Sequence, residues 1–434
     1  MASRMHLISF LINSPINHTI LSWSDPADER LEALGSLKRW QQLAQIYERG
    51  LFDGIFFADT PGVFDRYKER CDEAVRYGVC WPTHDPVVLL SALAAATERL
   101  GLAVTLSISA NHPYQAVRSL STLDYLSGGR IGWNIVTGHL RGEYRALGLD
   151  QLDHDARYDR ADEYMDVCRA LWGGVHPGAV QADRQSGIFA DPAKIDIIRY
   201  QGAYFRCHTA PPTLPSRQGR PVLFQAGSSG RGQRFALRNA DVVFAIQPHM
   251  TGMKTFTRQL HEAARETETP APKVTFGVQP ILGGTEAEAK RRLEDFASRI
   301  PLEAALSRLS GSLGVDFSQM ELDLPLEEQK TQASQGLMKA MSASFDNTRF
   351  TLRQAAIRWG LAVGMPQLVG TPEQVADQLE AVWRETGCHG FNVTPTITPS
   401  SVEEFVDEVV PLLQRRGIFR TEYEGDTFRD NLLN

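Results

Sequence analysis

The chain has 434 residues, 42% of them hydrophobic and 22% charged, which is ordinary for a globular protein with a large core. Its formal net charge of −7 argues against a nucleic-acid-binding protein, which would carry a basic surface. No uncharged run reaches the roughly 18 residues that cross a bilayer, and the five scattered cysteines include no Cys-x-x-Cys pair. These features predict a soluble protein of the reducing cytoplasm, without a membrane partner, zinc site or disulfide framework.

Short apolar runs alternate with amphipathic stretches along the chain. The predicted strands are Leu7–Ile12, Gly54–Ala58, Leu102–Ile108, Ile131–Val136, Val222–Gln225, Val242–Ile246, Val274–Ile281 and Gly390–Val393. The predicted helices are Leu37–Arg49, Pro86–Arg99, Tyr114–Leu126, Arg157–Trp172, Gly230–Arg238, Lys254–Glu266, Pro372–Thr386 and Val402–Arg415. Near-continuous apolar strands are typical of parallel sheets covered on both faces. Eight strands alternating with eight helices predict an α/β fold, a (β/α)8 TIM barrel.

Two stretches, at about 173–219 and 300–370, are too long for ordinary connections between a strand and a helix. We interpret them as insertions in a single barrel domain spanning 1–434, because neither shows strands of its own. The alternative fold is a doubly wound open sheet. It would require a glycine-rich turn after the first strand, where the chain has Asn13-Ser14-Pro15 instead.

One local feature has a clear chemical meaning. The segment Gln225–Gly232, with Gly227, Ser228 and Ser229, joins a predicted strand to a predicted helix. Small residues, hydroxyl groups and the free N–H groups of a helix N-terminus together favour binding of a phosphate. The alternative interpretation is a strand-to-helix turn with a serine N-cap. The segment alone does not decide between them.

Other polar residues stand where barrel enzymes keep their active sites. Asp59 and Ser109 follow predicted strands, and Asn134 is an amide near the carboxyl end of another. His154 and Tyr158 lie four residues apart at a helix start, on one face. Each could instead belong to a buried hydrogen-bond network or a solvated helix face.

A set of longer motifs extends over most of the chain. They are His112–Tyr114 with Ser119–Arg130, Gly132–Thr137, Leu152–Glu163, Phe189–Lys194, Gln225–Gly232 and Val409–Gly417. In these stretches the chain resembles the bacterial-luciferase-like flavin monooxygenases. The branch it resembles contains the nitrilotriacetate, dibenzothiophene-sulfone and long-chain alkane monooxygenases.

The resemblance implies reduced FMN as cofactor, supplied in trans by a separate NAD(P)H:flavin reductase, with O2 as co-substrate. The absence of a Gly-x-Gly-x-x-Gly turn agrees with this. The resemblance also implies a homodimer or homotetramer. The implied cofactor contacts divide into phosphate and ribityl contacts (Gly227, Ser228, Ser229, His154 and Tyr158) and ring contacts (Asp59, Ser109 and Asn134).

For catalysis, His139 and His18 are the proton-transfer candidates, because both should lie on the substrate side and histidine titrates in the useful range. Phe64, Cys80 and Trp81 are the predicted substrate pocket. Relatives that act on alkanes carry a tyrosine and a glutamine at positions matching Phe64 and Cys80, so alkane oxidation does not transfer to this chain. The uncharged wall predicts a small, neutral, partly apolar substrate. Two alternatives remain: a deazaflavin-dependent oxidoreductase of the same superfamily, and a non-catalytic flavin-binding relative.

Overall fold

The computed structural model describes residues 4–138, 140–227, 229–325 and 350–434. Eight parallel strands form its centre. They are β1 (His6–Ile12), β2 (Gly54–Ala58), β3 (Gly101–Ser107), β4 (Ile131–Val136), β5 (Val222–Gln225), β6 (Val242–Ala245), β7 (Lys273–Leu282) and β8 (Gly390–Val393). Their bounds lie within one residue of the predicted ones, because buried parallel strands are apolar throughout.

The sheet closes on itself. Each strand from β1 to β7 pairs in parallel with the next one along the chain. The last strand, β8, pairs in parallel with β1, with Gly390 beside His6. The predicted TIM barrel is therefore confirmed, and the open doubly wound alternative is wrong.

Helices surround the barrel. They are Arg30–Leu34, Leu37–Arg49, Asp72–Tyr77, Pro86–Ala94, Pro113–Leu126, Arg141–Leu147, His154–Gly173, Gly230–Asn239, Met250–Glu266, Glu286–Arg299, Leu302–Leu313, Leu352–Ala362, Pro372–Thr386, Ser400–Glu404, Val410–Arg415 and Phe428–Leu433. Local chemistry sets their ends. The helix Pro372–Thr386 begins with a capping box between Thr371 and Gln374 and ends at Gly387, whose φ of 64° suits glycine. None of the helices in the described ranges is long and apolar enough to span a membrane.

The first insertion differs from its prediction. It contains two antiparallel hairpins, Val180–Asp183 with Ile188–Ala190 and Ile198–Gln201 with Arg206–Thr209, so the prediction that it lacks strands is wrong. The second insertion supplies Leu302–Leu313, Leu352–Ala362 and one more strand. That strand, Gln367–Gly370, pairs with the carboxyl-terminal half of β7. Residues 326–349 lie outside the described ranges.

The barrel interior is filled by large side chains from non-neighbouring strands. The rings of Phe56 and Phe224 lie 5.4 Å apart, and those of Phe10 and Phe244 lie 4.7 Å apart. Since β2 and β5, like β1 and β6, are not adjacent, these rings meet inside the barrel. At the amino-terminal end Phe428 of the last helix packs against Phe224 and closes the interior. The opposite, carboxyl-terminal end is therefore the open mouth where barrel enzymes bind their ligands.

Candidate functional site

The predicted cofactor residues converge on the carboxyl-terminal mouth. Asp59 follows β2, Ser109 lies just beyond β3, Asn134 is within β4, and the segment Gln225–Gly232 follows β5. These strands are neighbours or near neighbours in the barrel, so the structure brings the side chains to one region. Ser228 lies outside the described residues.

The segment after β5 forms a compact turn at the start of a helix. Ser229 is the N-cap of Gly230–Asn239, and its hydroxyl accepts a hydrogen bond from the Gly232 N–H at 3.0 Å. The Gly227 N–H donates to Oε1 of Gln225 at 2.7 Å. A Cβ at Gly227 or Gly232 would lie 2.9 or 2.7 Å from the Tyr158 hydroxyl, so glycine is required at both positions. The N–H groups in the first turn of a helix have no acceptor within the helix, which suits this end of Gly230–Asn239 to an anion.

His154 and Tyr158 face this turn from the helix His154–Gly173. His154 Nε2 lies 3.2 Å from the Ser229 hydroxyl. Tyr158 is buried, and burial raises its pKa, although the side chains of Gln225 and Ser229 hydrogen-bond its hydroxyl. Since a neutral tyrosine keeps its O–H, Tyr158 can act as a donor at this turn.

Arg231, a cation beside the turn, is already engaged. Arg231 forms ion pairs with Asp159 at 3.0 Å and with Asp162 at 2.6 Å, and its guanidinium lies over the ring of Tyr158. An anion bound here would meet neutral hydroxyls, the His154 ring and backbone N–H groups, and the charges of Arg157 and Arg231 act on the adjacent Tyr158.

Asn134 and Ser109 lie deeper in the mouth. The Asn134 amide donates to the Thr105 hydroxyl at 2.9 Å, while its Oδ1 is buried and has no partner among the described residues. Ser109 donates to the carbonyl of Thr137 at 3.1 Å. A buried acceptor without a donor is costly, so Asn134 is suited to a ligand that supplies an N–H group.

Asp59 is a half-buried acid, and the charges that act on it from the described residues are those of other acids. Burial, together with the charges of Asp85 and Glu143, raises its pKa from 3.8 to about 7. The carboxyl group therefore exchanges protons near neutral pH, a property that active sites often need.

Glu143 is a buried acid at the mouth that the sequence does not indicate. It is buried on the helix Arg141–Leu147, it accepts a hydrogen bond from Ser107, and burial raises its pKa. A Cβ at Gly138 would lie 3.1 Å from both of its carboxylate oxygens, so it sits directly under the β4 loop. The sequence gives no signal for it, because a glutamate among charged residues of a helix is usually exposed.

The predicted substrate-side residues are only partly together. His18, Phe64 and Cys80 are buried, and Phe64 and Cys80 share a hydrophobic cluster with Phe10, over which His18 stacks at 4.1 Å. Trp81, by contrast, is 42% exposed. His139 lies outside the described residues, and its predicted role stays a prediction.

One property predicted for His18 is wrong. Burial, with the positive charges of Arg308 and Arg30, lowers its pKa well below the ordinary value. The ring is therefore neutral at physiological pH and does not titrate in the useful range. Because Arg308 can only donate to Nδ1, the ring proton is on Nε2, which is buried and lacks a partner in the described part of the chain.

Comparison with known proteins agrees with this geometry. The family profile described as "Luciferase-like monooxygenase" matches residues 18–390. The dibenzothiophene-sulfone monooxygenase of Rhodococcus erythropolis (strain XP) is 36% identical, with 99% of this chain and 96% of that protein aligned. The long-chain alkane monooxygenase of Geobacillus thermodenitrificans (strain NG80-2) is 35% identical over 100% and 95% of the two chains. Component A of the nitrilotriacetate monooxygenase of Aminobacter aminovorans is 35% identical over 94% and 92%.

Comparison with a solved structure supports the same family. A riboflavin lyase crystallised with modified FMN and riboflavin superposes with a TM-score of 0.90 and 33% identity, covering 99% of this chain and 96% of that one. The fold, the full-length identities and the family match confirm the branch predicted from the motifs. The chain belongs to the luciferase-like monooxygenase family and is a TIM-barrel oxidoreductase of that family.

Proposed function

We propose that this protein is the oxygenase component of a two-component system, which uses reduced FMN from a separate NAD(P)H:flavin reductase and O2 to oxygenate a small, partly apolar organic compound. The observation that carries the proposal is the turn after β5, built from Ser229, Tyr158 and His154 at the open end of the barrel. The chain has no glycine-rich dinucleotide turn of its own, and one relative is named component A, which agrees with a separate source of reductant.

The residues fit FMN on their own chemistry. The turn after β5 offers N–H groups and hydroxyls to a phosphate, and Gly227 and Gly232 allow the Tyr158 hydroxyl to approach its backbone closely. We assign the phosphate and ribityl chain to Gly227, Ser228, Ser229, His154 and Tyr158, and the ring to Asp59, Ser109 and Asn134. The unpartnered Oδ1 of Asn134 suits the polar edge of a flavin ring, which carries an N–H donor.

Bound reduced FMN supplies the electrons that activate O2, and one oxygen atom passes to the substrate. The protein orients the ring, excludes water and controls protons. Phe10 and Phe64 cover the substrate side with apolar surface. Asp59, with a pKa of about 7, holds or releases a proton at its carboxyl group near neutral pH. Neutral His18 can donate a hydrogen bond from Nε2 without carrying charge.

The test compares FMN with riboflavin, which lacks the phosphate. We expect Ser229→Ala and Tyr158→Phe each to weaken FMN binding about tenfold, since a hydrogen bond to a charged group contributes about 1.5–3 kcal/mol. Riboflavin binding should weaken less, because riboflavin keeps the ribityl chain but lacks the phosphate. Ser298→Ala is the matched control, because that exposed hydroxyl bonds only the carbonyl of Asp295 within its own helix. Equal losses for FMN and riboflavin would contradict the assignment of the phosphate.

Turnover separates the proposal from its alternatives. With a flavin reductase, FMN and NADH, oxygen-dependent product is expected, and the protein alone should not oxidise NADH. Oxidation of substrates with a deazaflavin and no O2 would support a deazaflavin-dependent oxidoreductase, and FMN binding without product for a broad panel would support a non-catalytic relative. The homodimer or homotetramer stays a prediction, which light scattering after size exclusion tests.

A further inference from the structure

A buried arginine lies on the substrate side without a matching acid. Arg308, on the helix Leu302–Leu313, is 2% exposed. Its Nη1 donates to the carbonyl oxygen of His18 at 2.6 Å, and its Nη2 lies 3.4 Å from Nδ1 of the same residue. Both partners are neutral, since the His18 ring carries no charge. The guanidinium therefore keeps a full positive charge, and the described residues give it no carboxylate partner.

Other deeply buried arginines of this chain have a nearby carboxylate. Arg420 is paired with Asp53, and the charge of Asp28 stabilises Arg30. Arg308 has no ion pair with any acid in the described ranges, and burial lowers its pKa. A buried cation without a counter-ion is unfavourable, so its retention calls for a partner that arrives from outside.

The surroundings of Arg308 are those of the predicted substrate pocket. The Cys80 thiol is close enough for its charge to act on the guanidinium, and Asp59 acts on Cys80 in turn. His18, which binds Arg308, stacks on Phe10 at the top of the barrel interior. The Arg308 guanidinium thus adds one positive charge next to a cluster of side chains that is otherwise apolar.

We propose that Arg308 binds the anionic head group of the substrate, a carboxylate or sulfonate of single negative charge on an otherwise apolar small molecule. A planar guanidinium matches the two oxygens of such a group. This deepens the proposed function and rests on it. The sequence predicts a neutral substrate because Phe64, Cys80 and Trp81 carry no charge; Arg308, on a different helix, supplies the charge that those positions lack.

The experiment measures binding of four probes to the full chain by isothermal titration: octanoate, octane-1-sulfonate, octanamide and 1-octanol. We expect at least one anion to bind with one-to-one stoichiometry and at least tenfold more tightly than the neutral pair. Arg308→Gln should abolish this preference and leave octanamide binding unchanged. Arg353→Gln is the matched control, since Arg353 is exposed on the neighbouring helix Leu352–Ala362 and pairs with Asp323; it should keep the preference. The stronger of the two anions identifies the head group.

Several outcomes would overturn the proposal: equal affinity for anionic and neutral probes, an anion preference that survives Arg308→Gln, or no binding by any probe. If the Arg308→Gln variant does not fold, the preference for anionic probes is measured on Arg308→Lys instead. Lysine keeps the charge without the planar fork, so a reduced preference supports the proposal and an unchanged preference overturns it. FMN affinity is measured in parallel. If the wild-type chain prefers the anionic probes but does not bind FMN, the result counts against the proposed function alone. If it binds FMN but shows no preference for the anionic probes, the result counts against the role of Arg308 alone.

Discussion

Relative to the wild type, the Asp59→Asn variant should be more stable at pH 8 than at pH 4.5. The pKa of Asp59 is raised from 3.8 to about 7 by burial and by the nearby acids Asp85 and Glu143. The folded state therefore binds a proton more tightly than the unfolded state between about pH 4 and pH 7. Stability from this group is complete below that window and is lost as the pH rises through it. Asparagine does not ionise, so the variant escapes the loss.

The size of the effect follows from the shift. Each pKa unit corresponds to about 1.4 kcal/mol, so a shift of about three units gives roughly 4 kcal/mol as an upper value. For 434 residues the entropy of unfolding is ~0.9 kcal/mol per kelvin, so the melting temperature should differ by about 4 °C. Differential scanning fluorimetry of flavin-free protein from pH 4.5 to 8 measures it, with Asp72→Asn, at a surface position, as control. If the difference between Asp59→Asn and wild type is the same at both pH values, the reasoning about Asp59 is refuted.

Three further changes test other parts of the structure. Gly232→Ala should weaken FMN at least tenfold in a fluorescence titration, because its Cβ would lie 2.7 Å from the Tyr158 hydroxyl; unchanged affinity would contradict the phosphate site. Arg420→Met should lower the free energy of unfolding by about 3–5 kcal/mol in urea, since the buried Asp53 loses its arginine partner and keeps only His6 and the Leu7 N–H. A change below 1 kcal/mol would show that the pair does not stabilise the fold. Cys71 is exposed and the other four cysteines are buried, so Ellman's reagent should label one thiol quickly and Cys71→Ser should abolish that phase.

The barrel could be predicted from the sequence because its strands are buried on both faces. A run such as Gly54–Ala58 is apolar at nearly every position, so it stands out from the amphipathic helices on either side. The hairpin strand Val180–Asp183 gives no such signal, since all four of its residues are exposed and it pairs only with another short strand. Its residues pair through backbone hydrogen bonds that any sequence can form. A pattern of side chains therefore cannot predict it.

The same distinction applies to the site. Asp59 and Ser109 could be selected because strand ends in a barrel share one face, which makes position along the chain informative. Glu143 and Arg308 could not, because both are charged residues within helical patterns, where exposure is the usual outcome. Their burial depends on how the helices pack over the mouth, and that packing involves residues far apart in sequence. His18 was selected by position, but its neutral state follows from Arg308 and burial, which the sequence does not reveal.

The two aspartates that flank β2 show how one barrel separates stability from chemistry. Asp53 precedes the strand; burial alone would raise its pKa, but Arg420 and His6 hold it below the ordinary value. Asp59 follows the strand, where the neighbouring charges are acids, and its pKa is raised instead. Burial raises the pKa of both carboxyl groups, so the opposite directions come from their partners. A carboxylate held by a cation is fixed in one protonation state and stabilises the fold, whereas one without a cation can gain and lose a proton near neutral pH. The second arrangement is found at the carboxyl-terminal mouth, where the Oδ1 of Asn134 also has no partner among the described residues and where a ligand can complete it.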